Sequence, residues 1–127
     1  MIDFQVAELI HRHIIINLTI RTLERDRKHI EGLKINRALE LWMDQQIKVL
    51  QNDLINAKSQ LGKKGVKIQA EKKVDKEFTE YEIIVKGMLE NRKYSNVALR
   101  NWVEEEVKKL LVLEYRITED GMKTPGR

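Results

Sequence analysis

Between Val66 and Val85 the chain alternates apolar and polar residues in a pattern that folds back on itself. Val66 pairs with Val85, Ile68 with Ile83 and Ala70 with Tyr81, all on one face. Successive side chains of a strand point to opposite sides, so this stretch is amphipathic only as a β-hairpin with one wet face. That wet face carries Lys67, Gln69, Glu71, Lys73, Glu80, Glu82 and Lys86. Two features oppose the reading. Asp75-Lys76 is a weaker turn signal than Asp-Gly, and the register sets Glu71 opposite Glu80, a like-charge pair. A helix over 75–90, and with it an all-α four-helix bundle, is the alternative.

Helical periodicity governs the rest. From about residue 3 to 30, Ile2, Val6, Leu9, His13, Ile16, Ile20, Leu23, Arg27 and Ile30 follow at alternating steps of four and three, the spacing of one helix face. Ile10, Ile14 and Leu18 widen the stripe, and this long period overrides the local strand preference of the β-branched run Ile14–Ile16. Gly32 provides a stop, with Lys28 and His29 at the negative end of the helix dipole. A second helix, about 35–61, carries Met43, Ile47, Leu50, Leu54, Ala57 and Leu61. The short connection makes the two an antiparallel hairpin. Gly62 to Gly65 end the pattern. After Gly87 a loop is expected through Tyr94, then a helix over about 95–117, capped by Ser95 or Asn96 and burying Leu99, Trp102, Val103, Leu110, Leu113 and Ile117. Gly121, Pro125 and Gly126 predict a loose tail over 118–127. The expected fold is mainly α within an α+β class: a long helical hairpin, a two-stranded β-hairpin and a C-terminal helix in one domain, 1–117.

Composition narrows the function classes. A chain of 127 residues, 42% hydrophobic and 35% charged, supports one modest core. No run approaches the roughly 20 apolar residues of a membrane span. Asp3, Glu8, His11 and Arg12 interrupt the apolar N-terminus, which therefore reads as mature structure and not as a signal. With no cysteine, disulfides, thiolate metal sites and cysteine nucleophiles are excluded, and a cytoplasmic location is the expectation.

Glu77-Phe78-Thr79-Glu80-Tyr81, then Gly87, then Asn96-Val97-Ala98-Leu99-Arg100-Asn101 leading into an acidic helix, resemble a family of small uncharacterised proteins of Bacillus-type Firmicutes. The resemblance covers about residues 35–113. It implies a shared architecture and a bacterial or prophage origin, and it implies no catalytic chemistry.

The candidate chemistries fall short one by one. Glu8 with His11, and Asp26 with His29, have the acid-x-x-His spacing of di-iron bundles, but they lie about 18 residues apart on one helix, roughly 27 Å. No further histidine completes a cluster. His13 falls in the apolar seam of the first helix and reads as a core or interface histidine, where a buried imidazole makes assembly pH-sensitive. Ser59 and Ser95 lack a nucleophile elbow. Gly62-Lys63-Lys64-Gly65 lacks the Gly-Lys-Ser/Thr ending of a phosphate loop and reads as a turn. No enzyme, cofactor, metal or small-molecule substrate is expected.

Charge is distributed more tellingly. Residues 58–76 hold seven lysines against Glu71 and Asp75, an excess of five within a chain of net charge +4. One reading makes Arg21, Arg25, Lys28, Lys58, Lys63, Lys64 and Lys67 a nucleic-acid surface with a wing-like hairpin. The hairpin's wet face, however, is neutral, which suits DNA poorly. The preferred reading is a non-catalytic protein that acts by protein–protein interaction or self-association, an accessory or regulatory factor, with His13, Ile16, Ile20, Leu23, Trp42 and Met43 as core or interface residues.

Overall fold

The computed structural model describes residues 3–30 and 36–122, with side chains described for 3–30 and 37–111. Helix α1 (Phe4–Arg27) runs into a short 3₁₀ turn at Lys28–Ile30, and α2 (Asn36–Lys63) follows. Asp3 opens α1 by accepting the Val6 N–H at 2.8 Å, which satisfies one orphan donor of the first turn. The expected stop at Gly32 lies outside the described residues. The two helices are antiparallel. At one end Arg27 grips Asp44 through Nε–Oδ1 and Nη2–Oδ2 bonds of 2.6 and 3.1 Å; at the other, Val6 and Ile10 share a buried cluster with Leu61.

Three antiparallel strands then form a meander: β1 (Val66–Lys73), β2 (Phe78–Val85) and β3 (Met88–Ser95), in spatial order β1-β2-β3. The sheet corrects the expected two-stranded hairpin and the loop through Tyr94, and the all-α bundle with its helix over 75–90 is not the fold. The sequence Met88-Leu89-Glu90-Asn91-Arg92-Lys93-Tyr94-Ser95 has no apolar alternation. An edge strand is held by backbone bonds along one side only and needs little, so pattern reading passes over it. Its turn, where a loop was expected to begin, is a tight two-residue one. Lys86 and Gly87 have φ of 51° and 83°, both left-handed, the type I′ geometry whose twist matches a hairpin. Lysine bears a steric cost there that asparagine largely escapes. Lys86→Asn should therefore raise the urea midpoint, equivalent to about 0.5–1 kcal/mol.

The register departs from expectation at one point. Val66 faces Val85 and Ile68 faces Ile83 as the alternation requires, but a bulge between Ile68 and Ala70 then shifts the pairing. Glu71 comes opposite Tyr81 and Lys73 opposite Thr79, in place of Ala70 with Tyr81 and Glu71 with Glu80. One extra residue exchanges the two faces of a strand. Glu71 and Lys73 thus move from the wet side to the side shared with Tyr81 and Thr79, which the helices cover.

Helix α3 (Asn96–Met122) starts where β3 ends and continues past the expected stop at 117. Residues 118–122, expected in the tail, are thus helical, and 123–127 lie outside the described residues. Ser95 is its cap, accepting the Ala98 N–H at 3.1 Å. Arg12 of α1 binds the buried Glu106 of α3 at 2.8 Å. Two apolar clusters result. Val6, Ile10, Ile14 and Ile15 pack with Tyr81, Ile83, Val85 and Leu99, while Ile16, Ile20 and Leu23 pack with Ile47 and Leu50. A central α1 buried on several sides explains its unusually wide stripe.

Candidate functional site

Past the bulge, Glu71 meets Arg21 of α1 in a bidentate pair, Nη1–Oε1 at 2.8 Å and Nη2–Oε2 at 3.1 Å. Parallel bonds of this kind fix orientation as well as charge. Glu71 and Tyr81 line two recesses beneath the sheet, so the ion pair stands between them.

The larger recess is a cleft of about 1090 Å3 walled by the second half of α1, the β1–β2 turn and the start of α3. Five cationic side chains line it, Arg21, Arg25, Lys73, Lys76 and Arg100, against three acids, Glu71, Asp75 and Glu104. Two of the acids are already engaged. Glu71 holds Arg21, and the Asp75 carboxylate accepts the Glu77 and Phe78 N–H groups at 2.8 and 2.9 Å, shaping its own turn. Asn96 latches that turn to α3. Its Oδ1 accepts the Thr79 hydroxyl at 2.6 Å, its Nδ2 donates to the Asp75 and Lys76 carbonyls at 3.3 and 2.9 Å, and its backbone N–H reaches the Glu77 carbonyl at 2.7 Å.

The smaller recess, about 230 Å3, is bordered by His13, Lys58, Gln69, Glu71 and Tyr81. His13 Nδ1 and the Tyr81 hydroxyl are buried without a hydrogen-bond partner among the described residues. Burial raises the Tyr81 pKa, with the Glu71 carboxylate adding to it, so the phenol stays neutral. Burial also holds the His13 pKa below 6.5, and the nearby Lys58 ammonium lowers it further. A depressed folded value means that the unfolded chain takes up the proton first. Stability should therefore fall as pH drops below about 6.5 and level off once the folded value is passed, at no more than about 1.4 kcal/mol per pH unit. Denaturation midpoints across pH 5–8 for the parent and His13→Leu check this, the variant losing the slope that His13 supplies.

The residues singled out from sequence scatter. Arg21 and Arg25 line the cleft, Lys58 borders the smaller recess, and Lys28 is exposed in the 3₁₀ turn. Lys63, Lys64 and Lys67 are exposed around the α2–β1 turn, beside the start of α1 where Leu61 packs with Ile10. Arg21 lies eleven residues farther along, about 16 Å. The seven cations do not form one surface. His13, Ile16, Ile20 and Leu23 are buried in the chain's own core, Trp42 packs on the second cluster, and Met43 is half-buried. Among the described residues no three His, Asp or Glu side chains gather as metal ligands would, and His11 packs edge-on to Trp102 at 4.6 Å.

Pattern reading singled out neither Arg100 nor the latch at Asn96. Arg100 is one charge on an exposed helix face, and only the placement of α3 directs it to the cleft. Here the two segments that carry the resemblance, Glu77–Tyr81 and Asn96–Asn101, join through the Thr79–Asn96 bond. A family profile described as YhjD protein matches residues 1–115. The chain belongs to the YhjD family. The family match thus includes α1, beyond the stretch in which the resemblance is visible by eye. The uncharacterised protein YhjD of Bacillus subtilis (strain 168) is 29% identical over 103 residues, covering 80% of this chain and 85% of that one. No solved structure matches the chain. Among the described residues, no helix is long and apolar enough to cross a membrane.

Proposed function

We propose that this YhjD-family protein acts by binding and not by turnover, as an accessory or regulatory factor whose cleft receives an acidic segment of a protein partner. One observation carries the reading. Lys73, Lys76 and Arg100 have no carboxylate partner among the described residues, Arg25 has only its neighbour Asp26 at 3.6 Å, and all four, from three elements, line one cleft. Such convergence steers and orients an anionic partner. Two of the cleft's three acids are committed to the fold, which leaves Glu104 alone against these four cations.

Nucleic acid is the second reading, favoured by the exposed Lys63, Lys64 and Lys67 at the α2–β1 turn. Fluorescence anisotropy with a labelled acidic peptide and with a labelled duplex, each at low and physiological salt, separates the two. The combined Arg25→Glu, Lys73→Glu and Arg100→Glu variant should weaken peptide binding at least about tenfold, roughly 1.4 kcal/mol. Lys63→Glu with Lys64→Glu and Lys67→Glu should leave it unchanged. Tighter duplex binding, lost with the three lysines and falling steeply with salt, reverses the order.

A further inference from the structure

The sheet has two edges, and only one is defended. Along β1, the bulge interrupts the ladder and Lys67, Lys72 and Lys73 are exposed, the devices by which edges repel other strands. Along β3 all eight residues pair with β2 in unbroken register, from Val85–Met88 to Phe78–Ser95. Met88 and Leu89 are 72% and 57% exposed. Lys93, the charge best placed to guard this edge, lies over the Phe78 ring, 5.2 Å from its centroid.

The direction of the free backbone groups follows from the turns. The Asn96 N–H points back to the carbonyl of Glu77, next to β2, so even-numbered residues of β3 face β2. Leu89, Asn91 and Lys93 then present their N–H and C=O outward, and among the described residues no backbone bond outside the sheet reaches them. A second copy related by a two-fold axis perpendicular to the sheet pairs antiparallel with these outward groups in a few registers only. Centring on Glu90 sets Glu90 against its own mate, and centring on Arg92 sets Arg92 against its own. Centring on Asn91 avoids both like-charge contacts and places Glu90 opposite the second copy's Arg92, twice. These are non-hydrogen-bonded positions, with Cα atoms about 4.5 Å apart, where side chains interact most closely.

We infer that β3 is the self-pairing edge of a symmetric homodimer, in which Asn91 lies on the two-fold axis, Glu90 of each copy meets Arg92 of the other, and two meanders merge into one six-stranded sheet. The occupant is a second copy because this strand's own charge order complements itself in one register. The inference uses a surface apart from the cleft and stands or falls independently of the function proposed above.

Light scattering behind size exclusion should give about 30 kDa for the full chain, twice 15.0 kDa. Arg92→Glu sets four carboxylates together and should return the mass to that of the monomer, and the swap Glu90→Arg with Arg92→Glu should restore the dimer. Rescue by the swap distinguishes pairing from a folding defect, which circular dichroism reads separately. A second measurement needs no charge change. The chain has no cysteine, and Asn91→Cys places two thiols across the axis at about 5.5 Å between Cα atoms, within disulfide reach. Under mild oxidation Asn91→Cys should run as a covalent dimer, and Leu89→Cys, which faces Lys93 of the second copy, should not. A monomeric mass at every concentration, a dimer indifferent to Arg92→Glu, or equal cross-linking at 89 and 91 would overturn the inference.

Discussion

Ile83→Ala is expected to lower the unfolding free energy by about 4 kcal/mol, the largest effect of any single truncation considered for this chain. Ile83 has no exposed surface and sits at the middle of β2, in the cluster shared by α1, α3 and the sheet. Truncation removes three carbons and leaves a cavity that strands on both sides and a helix above prevent from collapsing. The neighbouring Ile84→Ala should cost under about 1 kcal/mol, because Ile84 is half-exposed on the other face, opposite Lys67 and Leu89. Urea titrations followed by circular dichroism compare the two. A larger cost at Ile84 than at Ile83 would mean that β2 is set one residue out of register, with the wrong face inward.

Asn96→Ala should cost about 2–3 kcal/mol, although Asn96 belongs to no apolar cluster. The substitution leaves the buried Thr79 hydroxyl without its acceptor and frees the Asp75 and Lys76 carbonyls from the amide that ties them to α3. Its neighbour gives the internal standard. Ser95→Ala removes an ordinary helix cap and should cost about 1 kcal/mol. Hydrogen exchange adds a local readout, since the Glu77 and Phe78 amides, held by Asp75 Oδ1, should lose protection in Asn96→Ala and keep it in Ser95→Ala. If the two variants cost the same and exchange alike, the turn keeps its place without Asn96. The cleft depends on this latch, because Lys73 and Lys76 reach it only while the turn is held against α3.

Much of the architecture was readable because burial imposes periodicity. Val6, Ile16, Ile20 and Leu23 are buried where the four-three spacing of α1 put them, Ile10 and Ile14 where its stripe widens, and Ile83 and Val85 where alternation did. The Val66–Val85 and Ile68–Ile83 pairs were readable for the same reason. Strand β3 was not, for its polar residues carry no face preference and backbone bonds to β2 hold it in place.

The candidate site was less legible than the fold. Arg21 and Arg25 were singled out as members of a basic stripe, but what gathers Lys73, Lys76 and Arg100 beside them is a bulge, a turn and a helix entry. A bulge leaves no mark on composition: Lys67-Ile68-Gln69-Ala70-Glu71 reads as regular alternation until its pairing with β2 is known. The amino-acid order by itself determined which faces are apolar, since each side chain's partition from water is a local property repeated at the period of the backbone. Tertiary structure alone decided which charges share a cleft and which edge stays open, because those depend on distances between segments that no local period encodes.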